Sequence, residues 1–370
     1  MTEPLSRYPL EGTFELTARC NLRCRMCYVR INEDVIRRSG KRERTAEEWI
    51  RMAEQAAQAG TLQLLLTGGE VTLRPDFPEI YEAIARMGFV LTVYTNATMI
   101  SDRVMSVFRR FPPHKIGVTM YGASNETYEK LCGHPRGYDR FLEGLDRLQE
   151  LPSLLDMRTT IVRDNLPDLK AMAEFIRTRF GPEKILHLTA HLYPGTRGAV
   201  EDPRKVRLSA EEMFCTCHPE LAALQRGADA GKLDLRKPVF ADKLRELEAE
   251  LRRRGPVPDG GYLFRNCGSG VRSYFISWAG DMYACGMLPK GCTHPFETGF
   301  EQAWHELPDQ YPPAHLNEKC AGCELLPYCD SCPAQRILET GAWDGTPEYA
   351  CEAARVNSSF LDSLNAVTKA

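Results

Sequence analysis

The sequence lacks the long apolar runs that membrane-spanning helices require. No stretch of its 370 residues approaches about 18 consecutive apolar side chains, so we predict no transmembrane helix. Met1–Leu10 contains acid, proline and arginine but no apolar segment, which excludes a secretory signal peptide there. Charge of one sign is also missing, because 47 Lys and Arg against 50 Asp and Glu leave a formal net charge of −3. We therefore expect a cytoplasmic protein with no nucleic-acid partner and no membrane partner.

Cysteine is too scarce for a disulfide scaffold. The chain has 14 cysteines in 370 residues, far below the roughly 8–10% of such scaffolds. In a long chain without a secretory signal, cysteines more often bind metals or take part in chemistry than form bridges. None lies between Tyr28 and Lys130. The sequence therefore predicts two cysteine-bearing regions separated by a conventional domain.

Short apolar runs alternate with amphipathic helical segments from Gly12 to about Tyr193. The predicted strands are Phe14–Leu16, Leu62–Leu66, Phe89–Tyr94, Lys115–Tyr121, Leu155–Val162 and Lys184–Leu192. The predicted helices are one that begins after Thr45 with a Thr45–Glu48 capping box, and Asp76–Met87, Ser101–Phe111, Tyr138–Leu148 and Leu166–Arg179. Six strands that alternate with helices predict an α/β fold with a parallel sheet. Six strands are too few for a closed eight-stranded barrel, so we expect a partial (β/α)6 barrel.

The rest of the chain has a different character. Residues 196–259 are rich in charge and contain one predicted helix, Ala241–Arg254, which indicates a helical connector. Residues 260–370 are rich in turns and cysteine, which predicts irregular structure. A short β-hairpin is expected there, formed by Tyr274–Trp278 and Met282–Ala284. The predicted domains are thus 1–195, 196–259 and 260–370.

Three cysteines follow the first predicted strand. Cys20, Cys24 and Cys27 have CX3CX2C spacing, and three thiolates on one short loop can hold three corners of a cubane iron–sulfur cluster. No fourth cysteine lies nearby, whereas a closed structural zinc site needs four ligands. A cluster with three protein ligands leaves one iron open to a small molecule. The alternative is a zinc knuckle that takes a distant fourth ligand.

The CX3CX2C spacing followed by Tyr28 resembles the signature of the radical SAM superfamily. The resemblance implies that Cys20, Cys24 and Cys27 ligate a [4Fe–4S] cluster whose open iron binds S-adenosylmethionine (SAM). It also implies reductive cleavage of SAM to a 5′-deoxyadenosyl radical. Segments that follow the later strands resemble SAM-binding motifs of this superfamily. Together with the aromatic residue after the cysteine motif, they supply the candidate SAM contacts Tyr28, Gly68, Gly69, Glu70, Thr95, Asn96, Thr119 and Arg136. Tyr121 stands where relatives often have an acid.

The C-terminal cysteines form a second array. Cys320, Cys323, Cys329 and Cys332 have CX2CX5CX2C spacing, which alone is also compatible with a zinc ribbon. After the motifs above, the array resembles the SPASM domain of the superfamily, which carries two auxiliary [4Fe–4S] clusters, making three clusters in all. The resemblance implies one cluster on Cys320, Cys323, Cys329 and Cys351, and another on Cys267, Cys285 and Cys332. Cys292 completes the second cluster, or one iron is open to a substrate thiolate. We expect Cys132 to lie in an amphipathic loop as a small, buried hydrophobic residue, and we expect structural roles for Cys215 and Cys217.

The resemblance implies a peptide-modifying enzyme. The expected reaction abstracts hydrogen from a peptide substrate in ribosomal-peptide maturation and forms a thioether or a related cross-link. The expected partners are a peptide or small-protein substrate and a flavodoxin- or ferredoxin-type electron donor. Because the first cluster motif begins at Cys20, leader recognition is expected from the connector or from a separate leader-binding protein.

Three alternatives stay open. They are a formylglycine-forming, sulfatase-maturase-like enzyme, a small-molecule radical SAM/SPASM oxidoreductase, and an electron carrier or scaffold. Formylglycine-forming relatives have an Asp where this chain has Gly286, which weakens the first alternative.

Overall fold

The computed structural model describes residues 7–189, 191–217, 263–264 and 267–369, with side chains described to residue 359. The predicted helix Ala241–Arg254 lies outside the described residues. The strands are β1 Glu11–Glu15, β2 Gln63–Thr67, β3 Val90–Thr95, β4 Lys115–Thr119, β5 Leu154–Thr160, β6 His187–Thr189, β7 Ser273–Ile276 and β8 Met282–Tyr283.

The helices alternate with the strands in the N-terminal half and predominate toward the C-terminus. They are α1 Glu33–Ser39, α2 Ala46–Gln58, α3 Phe77–Arg86, α4 Asp102–Arg110, α5 Asn125–Cys132, α6 Gly137–Leu148, α7 Leu169–Phe180, α8 Ala210–Cys217, α9 Pro295–Thr298, α10 Phe300–Glu306, α11 Glu318–Ala321, α12 Pro333–Thr340 and α13 Glu348–Lys369. None of the described helices is long and apolar enough to cross a membrane.

The strands form one sheet in the order β6-β5-β4-β3-β2-β1-β7-β8. Strands β1 to β6 are parallel, which confirms the predicted α/β fold with a partial (β/α)6 barrel. The predicted hairpin is present, because β8 pairs antiparallel with β7. One further pairing was not predicted: β7 lies parallel to β1, from Glu11 opposite Ser273 to Phe14 opposite Ile276. The hairpin therefore extends the barrel sheet.

Contacts divide the chain into two compact units. One comprises Met1–Arg207 and Cys267–Tyr311, and the other comprises Leu208–Asn266 and Pro312–Ala370. The first unit contains the whole sheet. In the second unit, the hydroxyl of Tyr349 on α13 donates a hydrogen bond to the carbonyl of Leu208 at 3.1 Å. The domain boundaries expected from the sequence stay a prediction.

Apolar side chains of β1 and α2 form part of the core of the first unit. The rings of Phe14 and Trp49 are fully buried, with centroids 5.0 Å apart, and Phe296 meets Trp49 edge-on at 5.4 Å. The predicted capping box orients α2, because Thr45 and Glu48 each bond the other's backbone N–H. Several boundaries differ from the prediction. Strand β6 is limited to His187–Thr189, and α1 and α5 were not predicted.

Candidate active site

The loop that carries Cys20, Cys24 and Cys27 leaves the carboxyl end of β1 and is held on two sides. On one side, the amide of Gly69 donates to the Thr17 carbonyl at 2.8 Å, just after β2. On the other, the amide of Arg23 donates to the Cys132 carbonyl at 2.7 Å, at the end of α5. The loop backbone therefore has fixed partners in the neighbouring β/α units. The order of the strands in the sheet brings the segments after β1, β2 and β4 to one edge of the sheet.

Gly69 permits the closest of these approaches. A Cβ atom at this position would lie 2.3 Å from the Arg19 carbonyl oxygen and 2.8 Å from that of Ala18. Both atoms belong to the backbone of the cysteine loop, so they cannot rotate away. The second glycine of the motif is therefore required because the two backbones touch.

A cavity of about 710 Å³ opens at this edge of the sheet. Its lining residues come from the carboxyl ends of several strands, where α/β proteins place their chemistry. The predicted site residues among them are Cys20, Cys24, Cys27, Tyr28, Gly68, Gly69 and Thr119. The sequence motifs thus converge on one cavity within the first unit, as expected of a catalytic pocket.

The donor set of the loop fits an iron–sulfur cluster. Burial raises the pKa of Cys27 to about 12 and also raises that of Cys20. The pKa of Cys24 is raised by a hydrogen bond with Cys132 and then by burial. Cys24 is buried and Cys20 and Cys27 are half-buried, so their thiols are costly to ionise, and bound iron would offset that cost through its positive charge. Three ligands leave the fourth iron of a cubane open.

Glu70, Thr95 and Asn96 form a buried network at the carboxyl ends of β2 and β3. The Glu70 carboxylate, only 1% exposed, accepts hydrogen bonds from the Thr95 hydroxyl at 2.8 Å and the Asn96 amide at 2.7 Å. Thr72 gives it two more, from its amide at 3.1 Å and its hydroxyl at 2.6 Å. Asn96 in turn donates to the Asn21 side chain on the cysteine loop at 3.1 Å. The carboxylate thus joins the ends of β2 and β3.

Arg136 is not among the residues that line the cavity. It precedes α6, its side chain is 65% exposed, and it pairs with Asp139 at 3.4 Å. Its expected contact with SAM stays a prediction.

Two further residues of the cavity had weak or no signals in the sequence. Tyr121 hydrogen-bonds to Cys24, and burial followed by the nearby cysteines raises its pKa well above the ordinary value. Arg158 on β5 stacks over the Tyr94 ring at 4.1 Å. Its position near the carboxyl end of a predicted strand was the one available signal.

Cys132, expected in a loop, is fully buried at the end of α5. Its carbonyl accepts the hydrogen bond from the Arg23 amide at 2.7 Å, which places it beside the cysteine loop. The expectation of a buried side chain is therefore confirmed, and its position in a loop is wrong. The apolar positions of α5 extend over too few residues to predict a helix.

The second unit holds five of the C-terminal cysteines, four of them between residues 320 and 332 and the fifth, Cys351, on the long helix α13. Asn317 caps α11 by accepting from the Cys320 amide at 2.9 Å, and its side chain also donates to Thr346 at 2.9 Å. The Thr346 hydroxyl lies 3.4 Å from the Cys320 sulfur. These contacts hold the segment that precedes α13 against the turn that carries Cys320. Helix α13 itself carries Cys351. Cys332 caps α12, with its sulfur 3.4 Å from the Gln335 amide.

Comparisons with known proteins bear on this geometry. Residues 14–176 match the family model described as the radical SAM superfamily. The chain is 26% identical to an AdoMet-dependent heme synthase from Methanosarcina barkeri over 89% of this chain and 92% of that protein. It is 21% identical to the antilisterial bacteriocin subtilosin biosynthesis protein AlbA from Bacillus subtilis, over 88% of this chain and 67% of that one.

A solved structure has the same fold. The structure of Streptococcus suis SuiB bound to S-adenosylmethionine superimposes with a TM-score of 0.65 at 18% identity, covering 93% of this chain and 77% of that one. The family match covers the strand, the cysteine loop and the Gly-Gly-Glu segment that meet at the cavity. The chain is an enzyme, and its residues 14–176 are a radical SAM domain.

Proposed function

We propose that this enzyme binds SAM on a [4Fe–4S] cluster held by Cys20, Cys24 and Cys27, and abstracts hydrogen from a peptide substrate. The observation that carries the proposal is the docking of the cysteine loop on the Gly69 backbone, with all three thiols lining the same cavity. When bound and reduced, the cluster and SAM supply a 5′-deoxyadenosyl radical, at the cost of one electron and one SAM.

The residues of the chain would position these groups and exclude water. Gly68 and Gly69 line the cavity without side chains, so their backbone can approach the methionyl part of SAM closely. Glu70, Thr95 and Asn96 would keep that backbone in place through the buried network. Thr119 and Tyr28 would complete the binding surface. Arg136 would need to move from its exposed position to reach the SAM carboxylate.

Two auxiliary clusters are part of the proposal. Cys320, Cys323, Cys329 and Cys351 would hold one, which the Asn317–Thr346 contacts support by fixing two of these segments together. Cys267, Cys285 and Cys332 would hold the other, as the SPASM resemblance implies. A flavodoxin- or ferredoxin-type protein would supply electrons, in a cytoplasmic setting.

A peptide substrate is supported by the similarity to AlbA, a protein named for bacteriocin biosynthesis. Formation of a thioether would send the abstracted hydrogen to 5′-deoxyadenosine, the thiol proton to solvent and one electron to an oxidised ferredoxin- or flavodoxin-type carrier. A formylglycine-forming reaction has less support. A Cβ at Gly286 would lie 2.8 Å from the Phe275 ring, so an Asp there would require repacking.

A second candidate substrate is an iron porphyrin with propionate side chains. It is favoured by the match to the heme synthase over nearly all of both chains. Arg158, partly exposed in the cavity, offers a guanidinium that can bind a carboxylate.

Deuterium transfer distinguishes the two substrates. Reconstituted enzyme would be incubated anaerobically with SAM, dithionite and one of two probes. The first probe is a deuterated synthetic peptide that contains cysteine, and the second is Fe-coproporphyrin III deuterated on its propionates. The proposal predicts deuterium in 5′-deoxyadenosine with the peptide. Deuterium transfer and carbon dioxide release with the porphyrin alone would assign the second substrate.

A further inference from the structure

Three potential metal ligands meet beside the β7–β8 hairpin, and none of them lines the cavity. They are the Asp281 carboxylate, the Cys292 thiol and the His294 imidazole, and one ligand atom of each lies within 4.8 Å of the others. No metal-binding motif identified in the sequence contains these three residues together.

Strand pairing explains why these side chains meet. Met282 and Thr293 form an antiparallel bridge with two backbone hydrogen bonds, whose N···O distances are 2.8 and 3.0 Å. Both side chains are buried. Because successive side chains of a strand point to opposite faces, the residues on either side of the bridge share the other face. Asp281 therefore lies opposite His294, and Tyr283 lies opposite Cys292.

The distance between the ligand atoms of Asp281 and His294 is that expected for two ligands of one metal ion. Asp281 Oδ1 and His294 Nδ1 are 3.3 Å apart. Oxygen and nitrogen ligands at about 2.0–2.1 Å from a tetrahedral zinc ion lie about 3.3 Å from each other. A hydrogen bond between Asp281 and His294 has a similar length, so the third group decides between the two interpretations. Cys292 adds a sulfur ligand on the same face.

Neighbouring groups hold the ligands in place. Lys41 Nζ lies 2.5 Å from Asp281 Oδ2, which leaves Oδ1 toward His294. The Tyr283 hydroxyl hydrogen-bonds to Cys292. Such outer contacts orient metal ligands and stabilise their charged forms.

We propose that Asp281, Cys292 and His294 bind one zinc ion, with water in the fourth position. A set of one oxygen, one sulfur and one nitrogen suits this borderline-soft cation. Binding would release the Cys292 thiol proton and any proton shared by Asp281 and His294. The ion would tie the segment after the hairpin to the turn before β8, and Cys292 would have no part in an iron–sulfur cluster.

Zinc content and zinc spectroscopy test the proposal on the cluster-loaded protein. The enzyme would be reconstituted with iron and sulfide, given one equivalent of zinc sulfate, desalted, and measured for both metals. We expect about one zinc per chain, with one sulfur at about 2.3 Å and lighter ligands at about 2.0–2.1 Å in X-ray absorption. Asp281→Asn, Cys292→Ala and His294→Ala should each lower zinc at least about tenfold at unchanged iron.

Control variants test whether zinc loss is specific to the three proposed ligands. Cys217→Ala and His305→Ala change exposed ligand-type residues elsewhere and should keep the zinc. His294 is itself half-exposed, so His294→Ala should fold. A wild-type protein without zinc, or a His294→Ala variant that retains it, overturns the site. So does a zinc ion with three or four sulfur ligands, which would occupy a cluster site. Loss of iron in Cys292→Ala would assign Cys292 to a cluster instead.

Discussion

Replacing Glu70 by glutamine tests whether its carboxylate holds the ends of β2 and β3 together. Oε1 accepts three hydrogen bonds, two from Thr72 and one from Thr95, and Oε2 accepts one from the Asn96 amide. Glutamine has a single acceptor oxygen. If that oxygen serves the three donors, the amide NH2 faces the Asn96 N–H, and a buried donor loses its partner. Hydrogen bonds to a charged group contribute about 1.5–3 kcal/mol, so we expect Glu70→Gln to cost about 2–4 kcal/mol.

Calorimetric unfolding of the SAM-free protein would measure this cost. For a unit of this size, each kcal/mol lowers the midpoint by about 2–4 °C, so the predicted fall is at least about 4 °C. Glu54→Gln is the matched control, because Glu54 is an exposed residue in the middle of α2. If both variants unfold at the same temperature, the network does not hold the strand ends. A Glu70→Gln effect seen only with SAM present would instead assign the carboxylate to SAM.

Three further outcomes follow from the geometry. Gly69→Ala should lower the iron bound by the first cluster, because its Cβ would meet the loop backbone at 2.3 Å; an iron content equal to that of the wild type would contradict the close approach. The ion pair with Arg42 lowers the pKa of Glu48 from 4.5 to about 2, so its stabilisation is complete above about pH 4.5 and is lost as the pH falls toward 2. The stability difference between the wild type and Glu48→Gln in urea titrations should shrink over that range, and a constant difference would exclude the effect. Replacing Cys215 and Cys217 together by Ala should leave the iron content unchanged in a colorimetric assay, and iron loss would make them ligands.

Much of the barrel could be predicted because its signals are local. The capping box of Thr45 and Glu48 needs only four consecutive residues, and each parallel strand is a short apolar run between helices. The cysteine spacing and the two glycines were equally visible, since both lie on single loops. These features determine which edge of the sheet carries the site.

Other features depend on distant parts of the chain. Strand β7 pairs with β1 across some 260 residues, from Glu11 to Ser273, and no periodicity encodes such a partner. Helix α1 has no buried residue, so it lacks the apolar stripe that predicts a helix. Glu70 fits a SAM contact in the sequence, but its hydrogen bonds depend on Thr95 and Asn96, which only the neighbouring strand brings near.

The most direct test of the central claim is SAM cleavage by the reconstituted enzyme under dithionite, measured as 5′-deoxyadenosine. The proposal predicts about twelve iron atoms per chain, in three clusters of four, and steady release of 5′-deoxyadenosine. Replacing Cys20, Cys24 and Cys27 together by Ala should remove about four irons and abolish the product. Cleavage that persists in this triple variant would contradict the assignment of the cysteine loop.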